Sequence, residues 1–118
     1  MKIKVGLAQI YPKIGDVKAN LEKHLEYIER ADSQGVDLLV FPELSLTGYQ
    51  VQDLLAEVAI RPTRDDATFR ALLDASKNMD IMFGFVHEDK RERYYIAAAY
   101  VSGGEVLHIH HKVYLCTY

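Results

Sequence analysis

Apolar residues along the chain fall into two patterns, short continuous runs and stripes at helical spacing. Residues 2–10 (KIKVGLAQI) and 37–41 (DLLVF) are runs of aliphatic and β-branched residues, as expected of strands that are mostly buried. Between the runs, apolar residues recur every three or four positions from Val17 to Ile28, which predicts a helix that Asp16 caps and Gly35 ends. Strand, helix and strand in this order predict a βαβ unit with a parallel strand pair.

The second half of the chain changes from this parallel pattern to an antiparallel one. A short helix is predicted at 53–59, an amphipathic helix around Phe69 and a buried strand at 81–86. The runs YYIAAAYVS and EVLHIHHKVYL then flank Gly103-Gly104, which is the pattern of a two-residue hairpin. The predicted fold class is therefore α/β with a mixed sheet.

Length, charge and cysteine content limit the classes of function. A chain of 118 residues corresponds to about one small domain. Its net charge of −3 gives no electrostatic reason to expect a nucleic acid or an anionic membrane as partner. The single cysteine excludes an internal disulfide framework, so a cytoplasmic location is expected.

Glu43 is the first candidate for chemistry, because only Pro42 separates it from the buried strand 37–41. Ligands in open α/β sheets bind beyond the carboxyl ends of the strands, and Glu43 is predicted to lie at such an end. Pro42 keeps Phe41 extended, and Gly48 allows a sharp turn soon afterwards. The ordinary alternative is a surface glutamate just past a strand.

Lys112 is the second candidate, near the end of the second hairpin strand. Strict alternation predicts one face for Val106, His108, His110 and Lys112, with Leu107 and Ile109 on the other. His108 and His110 have the spacing of two metal ligands, but no third ligand is evident, so a solvated strand face is the better interpretation. A strand-end lysine taken alone is most often a solvent-facing charge.

Several of these segments together resemble the nitrilase superfamily of carbon–nitrogen hydrolases. The resemblance rests on FPELSLTGY (41–49) and HHKVYL (110–115), on the opening from VGLAQI to DLLVFPE, and on GFVHED (84–89). It covers essentially the whole chain. Residues 1–118 are accordingly predicted to be the truncated N-terminal part of a carbon–nitrogen hydrolase domain with an αββα sandwich fold.

The resemblance implies a Glu-Lys-Cys mechanism that needs no metal or organic cofactor. Glu43 would be the general base, and Lys112 would stabilise the tetrahedral intermediate formed when a cysteine attacks a small amide, carbamoyl compound or nitrile. Tyr49 is a candidate for substrate binding from its place after Gly48, although a packing role is equally compatible. Family members commonly form homo-oligomers, and neither nucleic acid nor membrane is expected as a partner.

Two positions depart from the family's pattern. Cys116 stands where the family usually has a loop proline, so it is interpreted as a bystander, and the nucleophile is expected beyond this chain. Ile96 occupies a position where members often have asparagine, which leaves one wall of the site in question.

Two alternative functions stay open at this stage. TGYQVQDLL (47–55) resembles the glutaminase domain of a glutamine-dependent NAD synthetase. A truncated chain that acts only in assembly is the other alternative, and we expect the 118 residues alone to be inactive.

Overall fold

The computed structural model describes residues 2–49 and 54–115, the last three of these by their backbone only. Within these residues the strands form one five-stranded sheet in the order β1-β2-β3-β4-β5. Strands β1, β2 and β3 are parallel, and β3, β4 and β5 are antiparallel, which confirms the predicted mixed α/β sheet. The strands are β1 (Val5–Leu7), β2 (Leu38–Val40), β3 (Asp80–Glu88), β4 (Tyr94–Ser102) and β5 (Glu105–Leu115); the helices are α1 (Val17–Ser33), α2 (Leu55–Val58) and α3 (Ala67–Ala75).

Helix α1 begins and ends where the sequence predicts. Asp16 accepts a hydrogen bond from the amide of Ala19 at 3.0 Å, and Gly35 follows the helix with φ of +71°. The row that α1 buries includes two polar residues, Asn20 and His24, together with Ile28 and Ala31. Neither polar residue belongs to the predicted apolar stripe.

The main core lies between one face of the sheet and helices α1 and α3. Phe69 of α3 packs against Phe83 and Phe85 of β3, with ring centroids 5.8 and 5.9 Å apart. Phe69 and Phe85 are completely buried, as is Leu72 beside them. Burial of such side chains supplies the largest favourable term in the stability of a domain of this size. None of the described helices is long and apolar enough to cross a membrane.

The prediction that residues 2–10 form a mostly buried strand is wrong. Strand β1 is only three residues long and lies at the edge of the sheet. Ile3, Val5 and Leu7 are 65%, 53% and 77% exposed, whereas Gly6 faces the side chains of Leu39 and Val36. Within the described residues, α1 and α3 cover one face of the sheet, and these three aliphatic side chains lie on the other.

The hairpin forms as predicted, but the predicted alternation along β5 is wrong. Gly103 and Gly104 both adopt positive φ, as the turn requires. The pairing of β4 with β5 shifts twice, so that Leu107 and Lys112 are each an extra residue without a partner in the ladder. As a result, Val106 lies opposite the buried Val101, whereas His108 and His110 lie opposite Tyr100 and Ala98 on the other face of the sheet.

Three separate segments pair with the edge of β3 that faces β2. Phe41 donates to the carbonyl of Met82 at 2.8 Å, Leu46 to that of Gly84 at 3.1 Å, and Ile60 to that of Val86 at 2.8 Å. The chain therefore leaves the sheet after Phe41, touches it once at Leu46 and rejoins it at Ile60. This excursion carries Glu43.

Gly84 is the point where the excursion crosses β3. A Cβ built on Gly84 would overlap the amide nitrogen of Leu44 and lie 3.0 Å from the carbonyl carbon of Glu43 and the carbonyl oxygen of Pro42. All three atoms belong to the backbone, so no side chain can turn aside to make room. Glycine is therefore required here by space.

Gly84→Ala is expected to lower the free energy of unfolding by about 3 kcal/mol, because backbone must move to accept the methyl group. Chemical denaturation of both proteins measures the difference. Gly6→Ala is the matched control, since its Cβ would meet the flexible side chain of Leu39 at 3.1 Å. Equal losses in the two variants would contradict the close crossing at Gly84.

Candidate functional site

Glu43 lies on a tight turn that begins directly after β2. Leu44 adopts φ of +52°, which is uncommon for a side chain of this size. Gly48 donates to the carbonyl of Leu44 at 2.8 Å and itself has φ of +75°, as predicted for a sharp turn at this glycine. Leu44 and Leu46 are buried while the Glu43 side chain is 31% exposed, so the turn places the carboxylate at the surface.

The structure brings Glu43 and Lys112 together, although 69 positions separate them in the sequence. The Lys112 ammonium donates to Oε2 of Glu43 at 2.7 Å. This hydrogen bond and the charge of Glu43 raise the pKa of Lys112, to which Tyr49 adds a smaller effect. The lysine therefore stays cationic at neutral pH, beside a carboxylate at the carboxyl end of β2.

Tyr49 follows the turn and is 57% exposed. It contributes to the raised pKa of Lys112, and its substrate-binding role stays a prediction. Cys116, predicted to be a bystander, lies outside the described residues. Ile96 packs in a small apolar cluster with Leu44, Val58 and Val86, beneath the turn that carries Glu43.

Two buried polar residues of α1 hold the turn from below. The Asn20 side chain donates to the carbonyls of Lys13 at 2.8 Å and Leu46 at 2.9 Å. The His24 ring contacts the carbonyl of Asn20 through Nδ1 at 2.6 Å and the hydroxyl of Ser45 through Nε2 at 2.8 Å. The polar residues that α1 buries thus contact the loop beside Glu43, which no spacing rule for apolar residues could indicate.

The comparisons with known proteins agree on the family. The family model for carbon–nitrogen hydrolases matches residues 4–118, nearly the whole chain. The chain belongs to the carbon–nitrogen hydrolase family. A glutamine-dependent NAD(+) synthetase from Thermotoga maritima is 37% identical over 118 residues, which are 99% of this chain and 20% of that protein. The chain thus spans about a fifth of the length of this relative.

Solved structures show the same carbon–nitrogen hydrolase fold. A glutamine-dependent NAD+ synthetase from Acinetobacter baumannii superimposes with a TM-score of 0.77 and 34% identity, over 98% of this chain and 22% of that one. A mutant of an amidase of the nitrilase superfamily from Nesterenkonia AN1 gives a TM-score of 0.80 and 26% identity, over 97% of this chain and 44% of that one. Both the family resemblance and the fold class predicted from the sequence are confirmed.

A second group of titratable side chains in this hydrolase domain lies beside an open cleft of about 790 Å³, lined in part by Arg61 and His87. The His87 and His111 rings contact each other at 2.7 Å. Arg61 pairs with Glu88 at 2.7 Å. Neither Glu43 nor Lys112 lines the cleft, so it is a weaker candidate for chemistry than the surface at Glu43.

No group of three metal-ligating side chains occurs among the residues that the structure describes. The rings of His108 and His110 do lie on one strand face, with centroids 6.4 Å apart. Burial, together with the nearby His111, lowers the pKa of His87, so the His87 ring favours its neutral form.

His24 makes the stability of the domain dependent on pH. Burial lowers its pKa from 6.5 to about 4, and the hydrogen bond with Asn20 opposes this only in part. The unfolded chain therefore binds a proton that the folded chain does not bind between these two values. The stability that the neutral ring provides is complete above about pH 6.5 and is lost as the pH falls toward about 4.

Between about pH 7 and about pH 4, this linkage is expected to remove about 3 kcal/mol from the free energy of unfolding. His24→Leu should lack that component, because leucine cannot titrate. Urea unfolding across this range measures both proteins, and every other titrating group cancels in the difference. Parallel pH profiles for wild type and variant would show that the pKa of His24 is the same in the folded and the unfolded chain.

Proposed function

We propose that this chain is part of the glutaminase domain of a glutamine-dependent NAD synthetase. The observation that carries the hydrolase chemistry is the contact between Glu43 Oε2 and Lys112 Nζ at 2.7 Å. The choice of glutamine as substrate is supported by similarity to NAD synthetases over 99% of the chain.

In the proposed mechanism Glu43 accepts and returns one proton in each half of the reaction. A cysteine thiol, supplied by a part of the protein beyond these 118 residues, gives its proton to Glu43 and attacks the side-chain carbonyl carbon of glutamine. Collapse of the tetrahedral intermediate breaks the carbon–nitrogen bond, and Glu43 returns its proton to the leaving nitrogen, which departs as ammonia. Water then attacks the thioester and transfers a proton to Glu43. The carbon–sulfur bond breaks to release glutamate, and Glu43 returns the proton to the thiolate.

Lys112 contributes charge. Its ammonium stays protonated beside Glu43, so it presents positive charge where the carbonyl oxygen becomes negative. Lys112 is the extra residue of a β-bulge, and the bulge directs its side chain toward the loop after β2. The exposed Tyr49, which contributes to the raised pKa of Lys112, is proposed to contact the substrate.

A hydrolase of small amides or nitriles is the second candidate. It is favoured by the superposition on the Nesterenkonia amidase, at a TM-score of 0.80. Ammonia release from glutamine, compared with release from small aliphatic amides and nitriles, distinguishes the two candidates. Preference for glutamine supports the synthetase, and preference for the small amides supports the amidase.

Glu43→Gln and Lys112→Met are each expected to lower kcat/KM for the preferred substrate by at least about 100-fold, because one removes the proton acceptor and the other the stabilising charge. Ammonia release by the natural polypeptide that carries these residues is the measurement. Glu22→Gln and Lys18→Met make the same chemical changes on exposed positions of α1, and both should leave activity unchanged. Full activity in either site variant would remove that residue from the mechanism.

The 118 residues expressed alone are expected to release no ammonia, because the proposed nucleophile lies elsewhere in the protein. Addition of the remaining polypeptide should restore turnover if the pieces associate.

Light scattering on the isolated chain tests the predicted homo-oligomer and the alternative of an assembly role without catalysis. Hydrolysis by the isolated chain that Cys116→Ala abolishes would instead identify Cys116 as the nucleophile.

A further inference from the structure

We propose that His24 is a positioning residue for Glu43, which it orients by holding the turn after β2 against β3 through Ser45. This inference rests on the proposed function, in which Glu43 transfers the proton. His24 is fully buried and lies on α1, so it acts on Glu43 only through the loop.

The hydrogen bonds around His24 form a chain with one consistent direction. The carbonyl of Asn20 can only accept, so Nδ1 of His24 carries the proton and donates to it at 2.6 Å. Nε2 of the neutral ring is then an acceptor, and the Ser45 hydroxyl donates to it at 2.8 Å. The Ser45 oxygen in turn accepts from the amide of Gly84 at 3.1 Å.

This series of hydrogen bonds connects three elements through Ser45, two residues after Glu43. It runs from β3 at Gly84, through the loop at Ser45, to α1 at His24. The ring also stacks on Phe41, with centroids 4.2 Å apart and planes inclined by 24°, at the point where the chain leaves β2. Both ends of the segment Phe41–Ser45, which carries Glu43, therefore contact the same imidazole.

The exposed side of the loop offers no comparable restraint. The Lys112 side chain is 62% exposed, and surface ion pairs of this kind hold a geometry weakly. An aliphatic residue would fill the place of His24 at lower desolvation cost. The buried hydrogen bonds through His24 therefore restrain the Glu43 backbone more firmly than the exposed ion pair does.

The experiment compares His24→Gln with His24→Leu. Glutamine offers a carbonyl oxygen that can accept from Ser45, whereas leucine fills similar space without an acceptor. In the natural polypeptide, His24→Leu is expected to lower kcat for glutamine by about 10- to 100-fold with KM little changed, as expected of a misplaced catalytic group. His24→Gln should recover most of that loss.

Ser45→Ala provides a second test that leaves the helix intact. Its kcat should fall like that of His24→Leu, and the double variant should be no worse than either single one, because both remove one link. Ile28→Ala is the matched control on α1: this buried residue packs beside Ala75 and Met79, away from the turn. It should lower stability without lowering kcat.

Crystal structures of the same variants make the inference independent of turnover. The Glu43–Lys112 contact should persist in His24→Gln and be lost in His24→Leu and Ser45→Ala. If the wild-type protein hydrolyses no amide, the proposed function fails. The crystal structures of the variants still show whether His24 orients Glu43. Loss of kcat in His24→Gln equal to that in His24→Leu, or an unchanged contact in both His24→Leu and Ser45→Ala, would overturn the inference.

Discussion

The row of carbonyls along one edge of β3 is the constraint on which the rest of this domain depends. Met82, Gly84 and Val86 each require a donor, because buried carbonyls without partners are costly. Strand β2 is too short to satisfy them all, so the chain supplies Phe41, Leu46 and Ile60 in turn. Between these contacts the backbone is free to leave the plane of the sheet. That freedom creates the turn on which a carboxylate can face outward.

Three kinds of restraint hold the turn in place: space, buried hydrogen bonds and charge. Gly84 leaves space for the crossing, Asn20 and His24 satisfy polar groups on its buried side, and Lys112 meets the charge of Glu43 on the exposed side. Burial of polar side chains under the turn limits its alternatives, because any displacement would leave donors or acceptors unpaired. A loop with an uncommon backbone angle at Leu44 can persist under these restraints.

Much of this arrangement could be predicted from the sequence, and the failures have identifiable causes. Helix α1, the hairpin and the strand before Glu43 follow from local patterns such as the cap at Asp16 and the paired glycines. Glu43 and Lys112 were selected by strand-end position and family resemblance, and the structure places them in contact. The roles of Asn20 and His24 depend on partners in distant segments, which no local pattern encodes. The prediction that β1 is buried is wrong, because an apolar run shows that a strand can be buried but not which element packs against it.

The two bulges in β5 have a consequence for how this hairpin can vary. Each extra residue reverses which side of the sheet the following positions face, so Leu107 decides the side for His108 and for every regular position up to the second bulge. Leu107 itself is 62% exposed. We therefore expect substitution of Leu107 to be tolerated and its deletion not to be. A residue must be present at this position, but its side chain is hardly restricted. Deletion of one residue there would turn the following residues of β5 to the opposite face of the sheet.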